Sequence, residues 1–552
     1  MKNGERLIYV ALGGAGEIGM NMYAYGWGKP GDEDWILVDM GVTFPNMDSS
    51  PGVDLITADP SFIAARRDRL RGVFITHAHE DHIGALGMLW HRLEAPIYTR
   101  EFTGLVAADK LERFGLSPEH VTTVGPMPEM IEMGPFKVGF MPVSHSIPEA
   151  SAMVIDTPAG RVVHTGDLKL DPAPQVGEAF DPARFAEIAA PGVLALVCDS
   201  TNVFSPEAGR SEASIVEDIT EMMKQAKGMV VATTFASNIA RLRTLAKAAA
   251  AADRSVLVLG RAMNRMLAFA RAAKLLPDFP DTVSLDEAEV IPRDHLFVLA
   301  TGSQGEMRAA SAQLSREKYL GLELAEGDTF LFSSKTIPGN EVSVGRIINN
   351  LAMKGVTVVE EDARYHVSGH ANRPDIQELH RIFDPRLVVP MHGEYRHLRE
   401  HALLARAGGR KAAIAPNGTV IDISDDGAII DEVETGRLYL DGTVMIGALD
   451  GIVRERIRMA IRGHVAVSVI IDEEGRPMDG VWAIASGLSE GEDGDFEAVL
   501  EAAIEAEISR ASRRVLASDD ALEELIMRAV NRAGKNSLGK KPVCKVMINR
   551  LA

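Results

Sequence analysis

Residues 76–82 read Thr-His-Ala-His-Glu-Asp-His, placing three imidazoles and the Asp81 carboxylate within six positions, directly after the apolar run GVFIT. Imidazoles and carboxylates at this density are poor material for a solvated turn and good material for a cation site. The turn reading is further disfavoured because the whole chain has only 15 histidines. Alternation at a strand end puts His77 and His79 on one side. The turn into the helical stretch IGALGMLWHRL swings Asp81 and His82 toward a neighbouring point. Two adjacent points suit a pair of cations about 3.5–4 Å apart. More candidates stand where other strands end: His145 in PVSHSIPEA, Asp167 in VVHTGDLKLD and His392 in VVPMHGE. A carboxylate bridges two cations naturally, which singles out Asp167. The ligand set favours zinc or a similar divalent metal.

Gly14-Ala15-Gly16-Glu17-Ile18-Gly19 spells G-x-G-x-x-G after an apolar run, with Asp39 twenty positions on. A dinucleotide site needs a helix after those glycines. The chain instead gives MNMYAYGW, a Gly/Pro turn and WILVDMG, which reads as a hairpin. The glycines are expected to let the backbone pass close to the cation site. Two cysteines, Cys198 and Cys544, exclude a disulfide framework or a cysteine-rich zinc module and fit a reducing cytoplasm. The opening MKNGERLIYVALGG has too short an apolar run for a signal peptide, and no stretch reaches membrane-spanning length. A net charge of −20 argues weakly against a nucleic-acid partner, since a local groove can differ from the average.

From about 72 to 200, short apolar strands alternate with loops and helices. From about 211 to 355 helical segments such as NIARLRTLAKAAAAA interleave with apolar strands such as GMVVATT, SVLVLG and HLFVLAT, the signature of a parallel α/β domain. Residues 429–461, rich in Gly, Asp and Arg, read as a connector. A small α/β unit follows, with strands HVAVSVIID, VWAIASG and PVCKVMI around two amphipathic helices.

The HxHxDH run with its downstream His and Asp resembles the metallo-β-lactamase superfamily. That resemblance implies an α/β fold, an αββα sandwich with a dinuclear zinc site. His77, His79 and His145 would hold one Zn2+, Asp81, His82 and His392 the other, and Asp167 would bridge; Mn2+ or Mg2+ are substitutes. Asp39 would orient the site rather than bind metal. The 225 positions between Asp167 and His392 leave room for an inserted domain. With Asp199 in LVCDST and His370 in HVSGHA, the chain resembles the β-CASP branch, which acts on nucleic acids. The strings GGAGEIGMNMY, FASNIARL, TGSQGE, FSSKTIPGNE, HVSGHANRPD and PMHGEYRHL are similar to the ribonuclease J family over nearly all of residues 5–460. The implied division is a discontinuous metallo-β-lactamase core at 1–208 and 356–428, a β-CASP domain at 209–355, a linker at 429–461 and a C-terminal domain at 462–552.

The resemblance implies a zinc-dependent ribonuclease. It would work 5′ to 3′ on single-stranded RNA carrying a 5′-monophosphate, with endonuclease action besides, in mRNA decay and rRNA maturation. Asp81 and Asp39 belong to its catalytic set, and His370, paired with Asp199, is the expected general acid. A phosphate pocket is expected from His366, Ser368, Gly369 and His370, with Ser237, Asn238, Arg241, Arg261 and Ser303 as further contributors. A cytoplasmic homodimer or homotetramer is implied. The competing readings are a lactonase- or thioesterase-type hydrolase, a DNA-directed nuclease and an inactive RNA-binding scaffold. Glu80 is expected outside the ligand set; His91, His164, His397 and His401 are expected in supporting, core or surface roles. Arg528, Arg532, Lys535, Lys540, Lys541, Lys545 and Arg550, with no acid among the last 28 residues, are expected to form a solvated face or subunit contact.

Overall fold

Two sheets carry the front of the chain. In the first, eight strands run in the order 428–432, 419–422, 6–13, 22–28, 34–38, 70–74, 97–99 and 121–123. In the second, seven run 130–133, 136–142, 151–157, 160–164, 193–199, 387–391 and 411–412. Their facing sides hold one apolar core that includes Tyr9, Tyr25, Phe74, Phe140, Ile155, Val197 and Val389. The outer face of the second sheet packs Phe185 and Ile188 of helix Pro182–Ala189 with Ile376, Leu379 and Phe383 of helix Arg373–Phe383. This is the expected αββα sandwich. The computed structural model describes residues 4–551 except 338, 474, 475, 492 and 493.

The inserted α/β region is a six-stranded, all-parallel sheet in the order 282–283, 255–259, 296–300, 230–233, 329–332 and 357–359. Its inner strands are almost wholly apolar because helices cover both faces. Its edge strand Thr357–Val359 lies past the expected boundary at 355. Helix Ile239–Ala251 starts where the Asn238 side chain accepts from the Arg241 backbone N–H at 2.9 Å. At helix Arg373–Phe383, the Asp375 carboxylate accepts from the Asn372 N–H at 3.0 Å. Both helix starts border the candidate site.

The chain divides into two compact units, Met1–Thr43 with Thr57–Arg437, and Phe44–Ile56 with Leu438–Ala552. The second corrects the expected connector. Residues 429–461 hold part of strand Ala428–Glu432, strands Arg437–Asp441 and Val444–Gly447 and most of helix Ile452–Arg462. The early segment 44–56 joins them: Asp54 N–H donates to the Leu440 carbonyl at 2.8 Å, and Gly442 N–H donates to the Asp54 carboxylate at 2.8 Å. Nothing in the local pattern around 44–56 announces a partner nearly four hundred residues away. The rest of the unit is a three-stranded sheet of His464–Ile471, Pro477–Ser486 and Val543–Arg550. Strict alternation in HVAVSVII turns Val465, Val467, Val469 and Ile471 onto Leu500, Ile504, Ile526 and Val530 of two helices. Several basic residues of the C-terminal stretch face acids, as in Arg528–Glu524, Arg532–Glu507 and Arg550–Asp519.

Candidate metal centre

Every expected metal-ligating residue stands just past a strand end or in the loop that follows. Strand Leu70–Phe74 delivers His77 and His79, and Asp81 and His82 lie in the helical turn Glu80–Ile83. Strand Phe136–Pro142 leads to His145, strand Gly160–His164 to Asp167 and strand Leu387–Met391 to His392. They form two groupings, His77, His79, His145 and Asp167, and Asp81, His82, Asp167 and His392, with ligand atoms mutually within 4.8 Å. Asp167 is common to both, as a bridge requires. Its Oδ2 lies 3.2 Å from His82 Nε2 and 3.9 Å from both His77 Nε2 and His145 Nε2. Its Oδ1 accepts from His392 Nδ1 at 2.7 Å. In the first grouping, His77 Nε2 and His145 Nε2 each approach His79 Nδ1 to 3.1 Å.

The far sides of these rings are held, which aims the near nitrogens inward. His145 Nδ1–H donates to the Gly369 carbonyl at 2.6 Å, His77 Nδ1 meets the Thr76 hydroxyl at 2.9 Å and His82 Nδ1–H donates to Asp39 at 2.7 Å. Such partners set the tautomer and ring orientation of a metal-binding histidine. His392 Nε2 is buried without a hydrogen-bond partner, 3.4 Å from Asp81 Oδ2. A buried ring nitrogen left without a hydrogen-bond partner beside a carboxylate fits a site that a cation would complete, and so does the all-nitrogen-and-oxygen donor set.

Asp39 belongs to neither grouping. It is fully buried, and its oxygens take the Thr76 N–H, the Thr76 hydroxyl and His82 Nδ1. These bonds tie Asp39 to Thr76 and His82 at the two ends of the ligand-bearing segment. Asp39 and His392 both adopt left-handed backbone, φ 63° and 47°, a conformation unusual outside glycine. The glycine run serves this same corner. At Gly14, φ is +86° and an added Cβ would sit 2.3 Å from Asn21 Oδ1. Asn21 Nδ2 donates to the Asp81 carbonyl at 3.0 Å and lies 3.0 Å from His82 Nε2. At Gly41 a Cβ would lie 1.7 Å from the Asp81 carbonyl oxygen, so only glycine seats Asp81. No helix follows Gly19, as the hairpin reading requires.

Burial and charge divide the histidines. Burial and neighbouring imidazoles push His77, His79 and His145 below the ordinary value, His79 to about 4, so they offer neutral lone pairs. Burial also opposes charge on His82 and His392, but the Asp167 and Asp81 carboxylates outweigh it and lift His392 to about 10. Burial would raise Asp81 and Asp167, and the same imidazoles hold both well below the carboxylate range.

His370 and Asp199 meet as expected, with His370 Nδ1 donating to Asp199 Oδ2 at 2.7 Å. The pair adjoins the cation groupings, since His370 Nδ1 is 3.9 Å from Asp167 Oδ2. Asp199 Oδ1 already accepts from the Thr201 N–H and hydroxyl, at 2.9 and 2.7 Å. Asp199 and His370 also form a third grouping with Asp167 and His392, ligand atoms within 4.8 Å of one another, so Asp199 holds His370 at the border of the cation site.

The expected phosphate residues do not all converge. Asn238, Ser368 and Gly369 line one cavity together with His145, Ser146 and Lys169. Ser237, Arg261 and Ser303 are not among its lining residues. Arg241 is fully buried, paired through Nε and Nη2 with Glu212 at 2.6 and 2.8 Å and through Nη1 with Ser333 and His366. With its guanidinium enclosed, it is a strut for the 365–367 segment, not a surface for a ligand. His366 supports that contact. Sequence reasoning missed Lys169, which is buried and paired with Asp171 at 2.9 Å, although the string TGDLKLD that supplied Asp167 also contains it. It also missed Asn202, which ties Ser368, Asn372 and the His370 carbonyl together. His164 meets the Tyr25 hydroxyl at 2.9 Å, and His401 meets His380 at 3.0 Å, both in the core; Glu80 faces Lys110.

Comparison with known proteins agrees with this geometry. Residues 19–193 match the metallo-beta-lactamase superfamily, and 356–416 match the Zn-dependent metallo-hydrolase RNA specificity domain. Residues 227–351 match the ribonuclease J beta-CASP domain, and 451–551 the ribonuclease J C-terminal domain. A Sinorhizobium meliloti protein named ribonuclease J is 41% identical over 563 residues, covering 100% of this chain and 98% of its own length. The chain belongs to the ribonuclease J family. A Mycolicibacterium smegmatis ribonuclease J is 36% identical over 493 residues, 88% of this chain and 87% of that one. A solved structure of an Enterococcus faecalis V583 protein of unknown function superposes with a TM-score of 0.52 at 18% identity, over 76% of this chain and all of that one, a likeness of fold. Family membership with the His/Asp groupings makes the chain a metal-dependent RNA hydrolase and sets aside the small-molecule hydrolase alternative. Among the described residues no helix is long and apolar enough to cross a membrane.

Proposed function

We propose that this chain is a two-zinc 5′-to-3′ exoribonuclease that prefers single-stranded RNA with a 5′-monophosphate and also cuts internally. The observation that carries the reading is that His145 belongs to a metal grouping and also lines the cavity of Asn238, Ser368 and Gly369. A terminal phosphate in that cavity would lie beside the cleaving centre, so cleavage would remove the terminal nucleotide. The seven residues His77, His79, His145, Asp81, His82, His392 and Asp167 would hold the cations. When bound, such cations make hydroxide available near neutral pH and neutralise developing phosphoryl charge. His370 would protonate the leaving 3′ oxygen, with Asp199 holding its imidazole in one orientation. Asp39 would keep His82 aimed. Ser146, Ser368 and the backbone at Gly369 would donate to the terminal phosphate, beside Lys169.

The role in mRNA decay and rRNA maturation, the cytoplasmic setting and the homodimer or homotetramer belong to the same proposal. So does the division into a metallo-β-lactamase core, a β-CASP domain extended through strand Thr357–Val359 and a C-terminal domain that begins before 462. The test uses 5′- and 3′-labelled single-stranded RNA carrying either a 5′-monophosphate or a 5′-triphosphate. Release of 5′ mononucleotides from the monophosphate form, lost in His79→Ala, is expected. Equal turnover of the triphosphate, or full activity in His79→Ala, would overturn the reading.

A further inference from the structure

The turn that follows Asp199 carries an aromatic ring that the chemistry above leaves unused. Strand Val193–Asp199 runs into Ser200–Ser205, closed by Val203 N–H to the Ser200 carbonyl at 3.1 Å and Ser205 N–H to the Asn202 carbonyl at 2.9 Å. The turn is tied to both loops of the site. Thr201 Oγ1 reaches Asp199 and the His392 carbonyl at 2.7 and 3.2 Å, and Asn202 reaches Ser368 and Asn372 at 2.8 and 2.9 Å. Phe204 projects from this turn with 51% of its surface exposed. One side of the ring meets His397 edge to face, with centroids 5.2 Å apart. The Arg396 guanidinium lies 5.9 Å from its centre, anchored to Glu394 at 2.7 Å, and the neighbouring Tyr395 is also exposed.

A half-exposed ring costs free energy unless something covers it, and this one stands on a turn whose Thr201 and Asn202 are hydrogen-bonded to the site's loops. Such a ring with a guanidinium over it matches one nucleotide: the base stacks on the exposed side of the ring and its phosphodiester meets the guanidinium. We propose that Phe204, with Arg396, stacks the base of a nucleotide flanking the scissile phosphate of single-stranded RNA. The inference rests on the RNA-hydrolase reading of the adjoining His370–Asp199 centre. Because every base has a π face, the contact favours unpaired RNA without selecting a sequence. Phe204 acts as a positioning residue, holding the chain in line across the centre.

The test pairs protein variants with RNAs in which one nucleotide at a time is abasic, each RNA 5′-monophosphorylated and single-stranded. In the wild type, one flanking position should show KM raised about tenfold when abasic, the scale of a single stacked base. In Phe204→Ala, KM for intact RNA should rise by about the same factor, and the abasic penalty at that position should vanish. Phe204→Trp should restore both, an outcome that a merely structural role would not give. A penalty that persists in Phe204→Ala, or no rescue by Phe204→Trp, would overturn the proposal. So would an intact penalty together with a changed sedimentation coefficient in Phe204→Ala, which would assign the ring to a protein contact. If the wild type cleaves no RNA, the functional reading fails. Anisotropy binding of the same RNAs then decides the inference alone, and absence of coupling there would sink it.

Discussion

Arg241 separates two readings of the cavity wall. As a phosphate ligand, its loss would weaken recognition of the RNA 5′ end and leave the fold alone. As a buried strut, its loss would strand Glu212, whose side chain is only 5% exposed, and unlink Ser333 and His366. Despite burial, Arg241 holds the Glu212 carboxyl below its usual range, so the pair is ionised together. Removing one partner of a buried pair costs about 3–5 kcal/mol, chiefly because the other charge remains unpaired. At about 2–4 °C per kcal/mol for a domain of this size, Arg241→Met should lower the melting midpoint by on the order of 10 °C. Glu212→Gln should fall by a comparable amount. Arg241→Met combined with Glu212→Leu should recover part of the loss, because no lone charge is left. Midpoints are compared at one scan rate, since a chain of several domains does not unfold in one step. A shift under about 2 °C in Arg241→Met, with discrimination between 5′-monophosphate and triphosphate RNA abolished, would refute the strut argument and return Arg241 to the ligands.

On the proposed two-zinc reading, His145→Ala and His392→Ala should each lower bound metal by about one ion per chain, read by elemental analysis after dialysis; unchanged metal content in both would contradict the groupings. Asp39→Asn should weaken metal retention about 10–100-fold against a competing chelator, because His82 loses its orienting carboxylate while every ligand remains; unchanged retention would deny that role. The buried His380–His401 pair should make stability acid-sensitive. Burial, with Arg410 nearby, lowers His380 to about 4, and burial holds His401 well below its ordinary value. The unfolded chain takes up protons below about pH 6.5 that the native pair refuses, so this stability is whole above 6.5 and fades as pH falls toward 4. For His380 alone the loss is about 2 kcal/mol by pH 5. His380→Leu with His401→Leu should flatten that part of the urea-midpoint profile; an unaltered slope would show that the pair does not titrate as argued.

What the sequence made legible was chemistry at strand ends. His77 to His82 are adjacent in the chain, so their joint role needs only local geometry. His145, Asp167 and His392 each follow an apolar strand, and the sheet brings such ends to one edge. By residue type alone Arg241 is a natural phosphate donor. Only the three-dimensional placement of Glu212, 29 positions earlier, shows that its donors are taken. The segment 44–56 was illegible for a related reason: its partners around Leu440 and Gly442 are remote in sequence, and its own pattern is that of an ordinary loop. Residues 429–461 hid short strands because their charged and glycine-rich composition masks strand alternation.

The charge of −20 and an RNA substrate are reconciled at the site itself. Asp81 and Asp167 are kept ionised by the surrounding imidazoles, and three of the metal-facing histidines are kept neutral by burial. The cationic side chains close by are largely offset by acids: Lys169 by Asp171, Arg241 by Glu212, Arg373 by Glu400 and Arg396 by Glu394. The polypeptide therefore offers RNA little net positive potential of its own there. Cations gathered by these same carboxylates would then supply much of the attraction for the phosphate backbone, beside Arg396, while hydroxyls, backbone amides and aromatic faces supply the fit. An arrangement of this kind would tie affinity for RNA to metal loading.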